Sequence, residues 1–333
     1  MVKEIHSSTE IKKINVASVK RAILEKGSAT KPEVAELTGL SVVTCGAILN
    51  ELAASGTIIE ETQRLSNGGR PAVSYRFSEN TGNALCAYMY KESDFCYLRY
   101  QIRDISGNIK DTGVIQEKSL SIDTLVDYIK KLCVPEKFIK VIVLGIQGCI
   151  NNGVLEFSDF SNLIGINVSN KIQSATGITT IVENDMNTIA LGYSKSDENT
   201  NVDNIAILFF PKGQTPAGGF VVDGNILRGS SNLAGELSFF PFNFKKESQR
   251  VAFSDIEYAQ PIIGQLAVAT TIFLDPSAIV ITGGLSNEVN KEDIINVLKT
   301  SLNRSQLPDI KIQPMVESEY YTGLYSIALD HLI

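Results

Sequence analysis

Residues 30–56 constrain this chain more than any other segment, because they carry two short helical signals separated by a three-residue turn. Thr30 and Glu33 have the T-x-x-E spacing in which hydroxyl and carboxylate satisfy orphan amides at a helix start, and Pro32 is tolerated in the first turn. This predicts a helix over 31–38. Gly39 and Leu40 turn the chain and Ser41 caps again. Cys45, Ile48 or Leu49, and Leu52 then recur on one face up to Ser55 and Gly56, which predicts a helix over 42–54. Upstream, Val16, Val19 and Ile23 mark a packing helix over 16–25 that stops at Gly27. A packing helix followed by two short helices about a glycine turn is the helix-turn-helix arrangement, whose last helix enters a major groove. IIEETQR (58–64), the turn-rich LSNGG and RPAVSYRF (70–77) predict two strands joined by a glycine hairpin, a wing. Ordinary α+β modules use the same elements for protein contacts. Arg70, a basic tip on a glycine loop suited to a minor groove, tips the reading toward DNA.

The predicted groove face of the third helix is Ser41, Val42, Val43, Thr44, Ala47 and Asn50. It is nearly uncharged. Val42, Val43 and Ala47 suit thymine methyls and Asn50 suits adenine, so the expected partner is an A·T-rich, palindromic double-stranded operator read by a homodimer or higher homo-oligomer. Phosphate anchoring then falls to Lys31, Arg64, Arg70 and Arg76, with Arg64 and Arg70 flanking the hairpin.

Net charge is −7 overall, with +1 in residues 1–80 and −8 in the remainder. The acid excess sets the larger part against nucleic-acid binding. At 333 residues the chain exceeds one small core, and the expected division is 1–80 and 81–333. No run approaches the roughly 20 apolar residues that span a bilayer. The charged opening MVKEIHSSTEIKKIN lacks the apolar stretch of a secretory signal, so a cytoplasmic protein is expected. Cys45, Cys86, Cys96, Cys133 and Cys149 are scattered with no C-x-x-C pair, so neither a disulfide framework nor a thiolate metal site is expected.

Past residue 80, strand-like runs at 85–90, 95–104 and 109–116 predict an antiparallel start to a sheet. A helical stretch at 122–132 precedes the continuous apolar run KVIVLGI (140–146). NIAILFF, GGFVVDG, a long helix over 255–274 and AIVITGG repeat the theme. Two similar α/β lobes with a cleft between them are expected.

TKPEVAELTGLSVVTCGAILNELAASGTIIE followed by NGGRPAVSYRF resembles the N-terminal domain of repressors in the ROK family (repressors, open reading frames and kinases). GIQGCINNG (145–153), VENDMNTIALG (182–192), DGNILRGSSNLAGELS (223–238) and LDPSAIVITGGLS (274–286) are similar, in order and spacing, to landmarks of the same family. The resemblance covers nearly the whole chain. It implies an α+β winged helix-turn-helix followed by a two-lobed α/β actin-like fold of the sugar kinase/Hsp70 type. Sugar would lie in the interlobe cleft and nucleotide, where used, beside it. It further implies that Gly148 belongs to a sugar-site loop, that Asn184 and Asp185 contact sugar hydroxyls with Asp185 at the catalytic-base position, and that Glu236 contacts the anomeric end. Asp185 just before MNTIALG also reads as a plain helix N-cap, and the two roles are compatible.

Against kinase chemistry stand several departures from the family pattern. The first phosphate loop is replaced by YMYKESD (88–94), without glycine, and the second by TPAGG, where Thr215 and Ala217 take the first two glycine positions and Gly219 the third. Side chains there hinder the approach of backbone amides to phosphate. Phe239 stands in place of the family's zinc-ligating histidine, FPFNFKKESQR (240–250) in place of its cysteine cluster, and Gln147 in place of a common proline. The expectation is therefore a DNA-binding regulator of carbohydrate genes with a small sugar effector, no catalytic residue, no metal and no cofactor. Two alternatives are a carbohydrate kinase using Asp185, and a ligand-independent DNA-binding protein with a structural body.

Overall fold

The computed structural model describes residues 8–63, 72–196, 202–245, 248–302, 307–314 and 317–333. The N-terminal helix α1 spans Ser8–Lys26. It begins eight residues before the predicted start, because its first turns are built of good helix formers while Ile11 and Ile14 stay exposed. Burial periodicity could reveal only the part that packs. β1 (Ala29–Thr30) leads into α2 (Lys31–Thr38), whose start is fixed as expected, the Thr30 amide donating to the Glu33 carboxylate at 2.8 Å. Lys26 and Thr30 together hold that carboxyl down to about 2. α3 (Val42–Ala54) follows, its first turn capped by Ser41 Oγ, which accepts from the Thr44 amide at 3.1 Å. β2 (Ile58–Gln63) and β3 (Ala72–Phe77) pair antiparallel, and β1 adds to the far edge of β3. Val19, Ile23, Val34, Cys45, Leu49, Leu52, Ile58 and Tyr75 form the core of this unit.

The first large sheet contains β4 (Asn83–Glu92), β5 (Phe95–Asp104) and β6 (Ile109–Glu117) as an antiparallel meander. After α4 (Ile122–Leu132), β7 (Ile139–Ile146) returns parallel to β4. β8 (Cys149–Asn151) and β9 (Val154–Phe157) form a small hairpin, and α5 (Val168–Thr176) leads to β10 (Thr179–Asn184), parallel to β7. α6 (Asp185–Ser194) starts directly from β10. The second sheet repeats the plan with β11 (Ile205–Phe209), β12 (Ala217–Val222) and β13 (Asn225–Ile226) as the meander. After α7 (Gln249–Ala252) and α8 (Ile256–Leu274), β14 (Ala278–Thr282) lies parallel to β11; α9 (Lys291–Leu302) then leads to β15 (Asp309–Ile312), parallel to β14. The last helix is α10 (Glu317–Leu332).

The strand orders β6-β5-β4-β7-β10 and β13-β12-β11-β14-β15 are the same topology built twice. Alternation along β4 explains the layering: Leu85, Ala87 and Met89 face the core shared with α4 and α5, while Ala84, Cys86 and Tyr88 face α6 and α10. In the second sheet, Ala206 and Leu208 pack toward α8 and α9, and Ile205 and Ile207 toward α6. α6 thus touches both sheets, and α10 lies against it. Two glycines permit that approach: a Cβ on Gly192 would come within 1.7 Å of the Glu319 carbonyl oxygen, and one on Gly323 within 1.9 Å of that of Thr188. The far end of α10 meets the N-terminal unit, where Lys20 Nζ donates to the Ile333 carbonyl and Arg21 pairs with Asp330 at 3.1 Å.

Candidate functional site

Two surfaces gather the residues singled out by sequence. On α3, Cys45, Ile48, Leu49 and Leu52 are buried, which turns Ser41, Val42, Val43, Ala47 and Asn50 outward on one face. Val43 is 83% exposed, a surplus of apolar surface that folding alone does not require. Thr44 is half-buried and bonded to Ser41, so it belongs to the cap more than to the face. Asn50 accepts from Lys31 Nζ at 3.3 Å, which joins a polar acceptor and a cation at one edge. Arg76, expected as a phosphate anchor, is instead paired with Glu61 across the β2–β3 ladder. Arg64 and Arg70 lie outside the described residues.

The second surface is the cleft between lobes. The N-cap of α6 is Asn184, not Asp185 as the plain reading had it: Asn184 Oδ1 accepts from the Asn187 amide at 3.0 Å. Its Nδ2 donates to the Gly148 carbonyl at 2.8 Å, so the predicted Gly148 loop and the start of α6 are brought together. Gly148 has φ of 127°, and a Cβ there would meet the Phe157 carbonyl oxygen at 2.1 Å, so the loop needs glycine to close on the β8–β9 hairpin. Asp185, which is not the cap, is partly buried at the start of α6. Burial pushes its carboxyl up to about 7, the nearby charges of Glu236 and Asp159 act in the same direction, and backbone amides at the helix start pull it partly back. Asn184, Asp185, Gly148 and Glu236 therefore lie near one another where the lobes meet, joined by Cys149, whose thiol is pushed up to about 11 by burial and by Glu236 and Glu156.

The places that the family pattern gives to phosphate and zinc are otherwise filled. The β4–β5 junction is a tight hairpin with Ser93 at φ 54°. Behind it Tyr88 stacks on Tyr320 at 4.3 Å between ring centroids and Tyr90 on Tyr97 at 4.9 Å, while Arg99 pairs with Glu317 at 2.7 Å. Gly219 lies within β12, where a Cβ would meet the Met186 carbonyl oxygen at 2.1 Å; its role is to admit the start of α6. Phe239 meets Phe157 edge-on, Phe242 stacks on Phe244 and meets Phe240 at a tilt, both at 5.2 Å, and Phe253 meets Phe242 edge-on to complete the ladder. Among the described residues no three His, Cys, Asp or Glu side chains group as a metal site, and the phenylalanines offer no donor, so zinc does not fit here. The alternating aromatics of FPFNF were the signal for this ladder. Sequence reading also missed Glu183, Arg228 and Tyr320, although the first two lie inside quoted motifs.

Fold and cleft together define a two-lobed, sugar-kinase-like α/β protein. Residues 98–250 match the model of the ROK family. It is 24% identical over 252 residues to the xylose repressor of Bacillus subtilis (strain 168), a match covering 72% of this chain and 64% of that protein's length. In structure it is similar to a ROK family transcriptional regulator, a homologue of the Escherichia coli MLC protein, with a TM-score of 0.73 and 18% identity over 97% of both chains. The ROK hexokinase of Thermus thermophilus matches 74% of this chain and 99% of its own, with a TM-score of 0.57 and 15% identity. Among the described residues no single helix is long and apolar enough to cross a membrane.

Proposed function

We propose that the chain is a DNA-binding transcriptional repressor in which residues 1–80 form a winged helix-turn-helix and residues 81–333 form a sugar-responsive, catalytically inactive effector body. The observation that carries this reading is the conjunction of two surfaces in one chain: the outward Val42, Val43, Ala47 and Asn50 of α3, and a cleft whose Asn184, Asp185 and Glu236 converge while the phosphate positions are occupied by side chains. Carboxylates and an amide are the acceptors and donors that hydroxyl-rich ligands need. The repressor names of the curated relatives support the class, and make D-xylose the first ligand to try. A homodimer would suit a palindromic operator, and the exposed Ile272 and Phe273 of α8 offer an apolar surface for it.

The test begins by selecting operators from a random duplex library, then titrating with and without D-xylose and related sugars. Asn50→Ala should cost roughly 1–3 kcal/mol on the selected site and much less on scrambled duplex. Equal losses on both duplexes would remove α3 as the reader. A kinase reading retains one favourable observation, a carboxyl near 7 in the sugar cleft, the value a general base needs. It requires phosphate binding at loops that here hold tyrosines and a strand.

A further inference from the structure

Glu183 is a buried carboxylate at the meeting of the two lobes. Its side chain is 8% exposed, and both oxygens are engaged. Oε1 accepts from the Asn184 amide at 2.9 Å and from Asn187 Nδ2 at 3.1 Å, which ties it to the first turn of α6. Oε2 accepts from Nε of Arg228 at 2.9 Å and from Nη2 of the same guanidinium. The two partners belong to different lobes: Glu183 ends β10 of the first sheet, and Arg228 follows β13 of the second.

Arg228 also opens the segment that carries Glu236. The Ala234 amide donates to the Arg228 carbonyl at 3.3 Å, closing residues 228–234 into a compact loop, and the Gly218 amide donates to the Gly235 carbonyl at 2.7 Å, seating the loop on β12. A Cβ on Gly235 would meet the Gly218 carbonyl oxygen at 2.3 Å, so this seat has no slack. From the loop, Asn232 reaches back to the first lobe, its carbonyl 3.5 Å from Cys149 Sγ and its Nδ2 3.5 Å from Asn151 Oδ1. The loop therefore touches the first lobe at two places, Arg228 at Glu183 and Asn232 at Cys149 and Asn151.

We propose that Arg228 is a positioning residue for the effector site: through Glu183 it fixes Asn184 and Asp185 on one lobe, and through its own loop it sets Glu236 on the other. This rests on the cleft being the effector site, as proposed above. The physical reason is that Glu183 is a buried carboxylate whose charge is compensated from the opposite lobe. Removing the guanidinium leaves that charge unpaired and withdraws the restraint on both sides of the cleft at once. Lysine keeps the charge but loses the fork that places two N–H groups on one oxygen, so it restores the effect only in part.

The experiment uses the full chain and the variants Arg228→Met, Arg228→Lys and Glu183→Gln. Amide hydrogen exchange is the first arm, because it needs no ligand. Arg228→Met should speed exchange at least tenfold in the first turn of α6 and in residues 233–237, leave β4 to β6 unchanged, and be partly reversed in Arg228→Lys. Glu183→Gln should reproduce the pattern at α6. The second arm is calorimetry with D-xylose, whose affinity should fall at least tenfold in Arg228→Met and by an intermediate factor in Arg228→Lys. Unchanged exchange at α6, or a uniform rise throughout the molecule, overturns the positioning role. If the wild type binds neither D-xylose nor any related sugar, the effector reading fails, and the exchange arm still decides whether Arg228 orders the cleft.

Discussion

Asp185 carries the sharpest chemical consequence at the scale of single residues. Its folded value is raised from the ordinary carboxylate value of 3.8 to about 7, so the folded state holds a proton that the unfolded chain has released. The stability this confers is fully present below pH 4 and is lost as pH climbs to about 7. Asp185→Asn should therefore stabilise the protein more at pH 8 than at pH 5, by an extra 1–2 kcal/mol or so once solvent access to the cleft is allowed for. Denaturant unfolding at the two pH values checks this, and an equal increment at both would show that the carboxyl titrates normally. Asp185 was legible because its motif resembles that of a known family, and its conformational role was not. Asn and Asp are both good caps, and only the backbone shows that Asn184 takes the post, leaving the Asp185 carboxylate to the amides of Asp185 and Met186. Glu183 and Arg228 were illegible for a different reason. Forty-five positions separate them, and nothing in local spacing announces an ion pair between a strand residue of the first sheet and a loop residue that follows β13 of the second.

Elements whose boundaries are written in capping chemistry were read correctly, and those that run past their packing were not. α2 and α3 have the predicted bounds because Thr30, Glu33 and Ser41 mark their starts. α1 was shortened in reading since only its C-terminal part packs on the core. The segment after Glu236 shows the limit of reasoning from loss: missing cysteines revealed what was gone, and the structure shows what replaced it. Phe240, Phe242, Phe244 and Phe253 hold this stretch by aromatic contact. Phe242→Ala should cost about 2–3 kcal/mol by opening the middle of the ladder, whereas treatment with EDTA should leave the melting temperature of the wild type unchanged. A chelator-induced fall of several degrees would point to a metal that the phenylalanines do not hold.

For the whole molecule, one five-stranded topology is built twice, and the proposed lack of phosphoryl transfer is directly testable. Purified protein should show no sugar-dependent ATP turnover above a no-enzyme blank, measured by a coupled assay across D-xylose and common hexoses. Turnover abolished by Asp185→Ala would restore the kinase reading. In contrast, a bound sugar at 100 times its dissociation constant should add about 2.7 kcal/mol to stability. α10 bears on a separate matter, the order in which the chain acquires its shape. Tyr320, Tyr321 and Leu324 complete the face of the first sheet formed by Ala84, Cys86, Tyr88, Val141 and Val143, yet the entire second lobe intervenes in sequence. On a ribosome the first sheet has α6 available at once but must wait, this apolar face only partly covered, until the second lobe and α10 have been made. Gly192 and Gly323 then let the late helix close on α6 at backbone contact, so the two lobes are joined through the last element to be made.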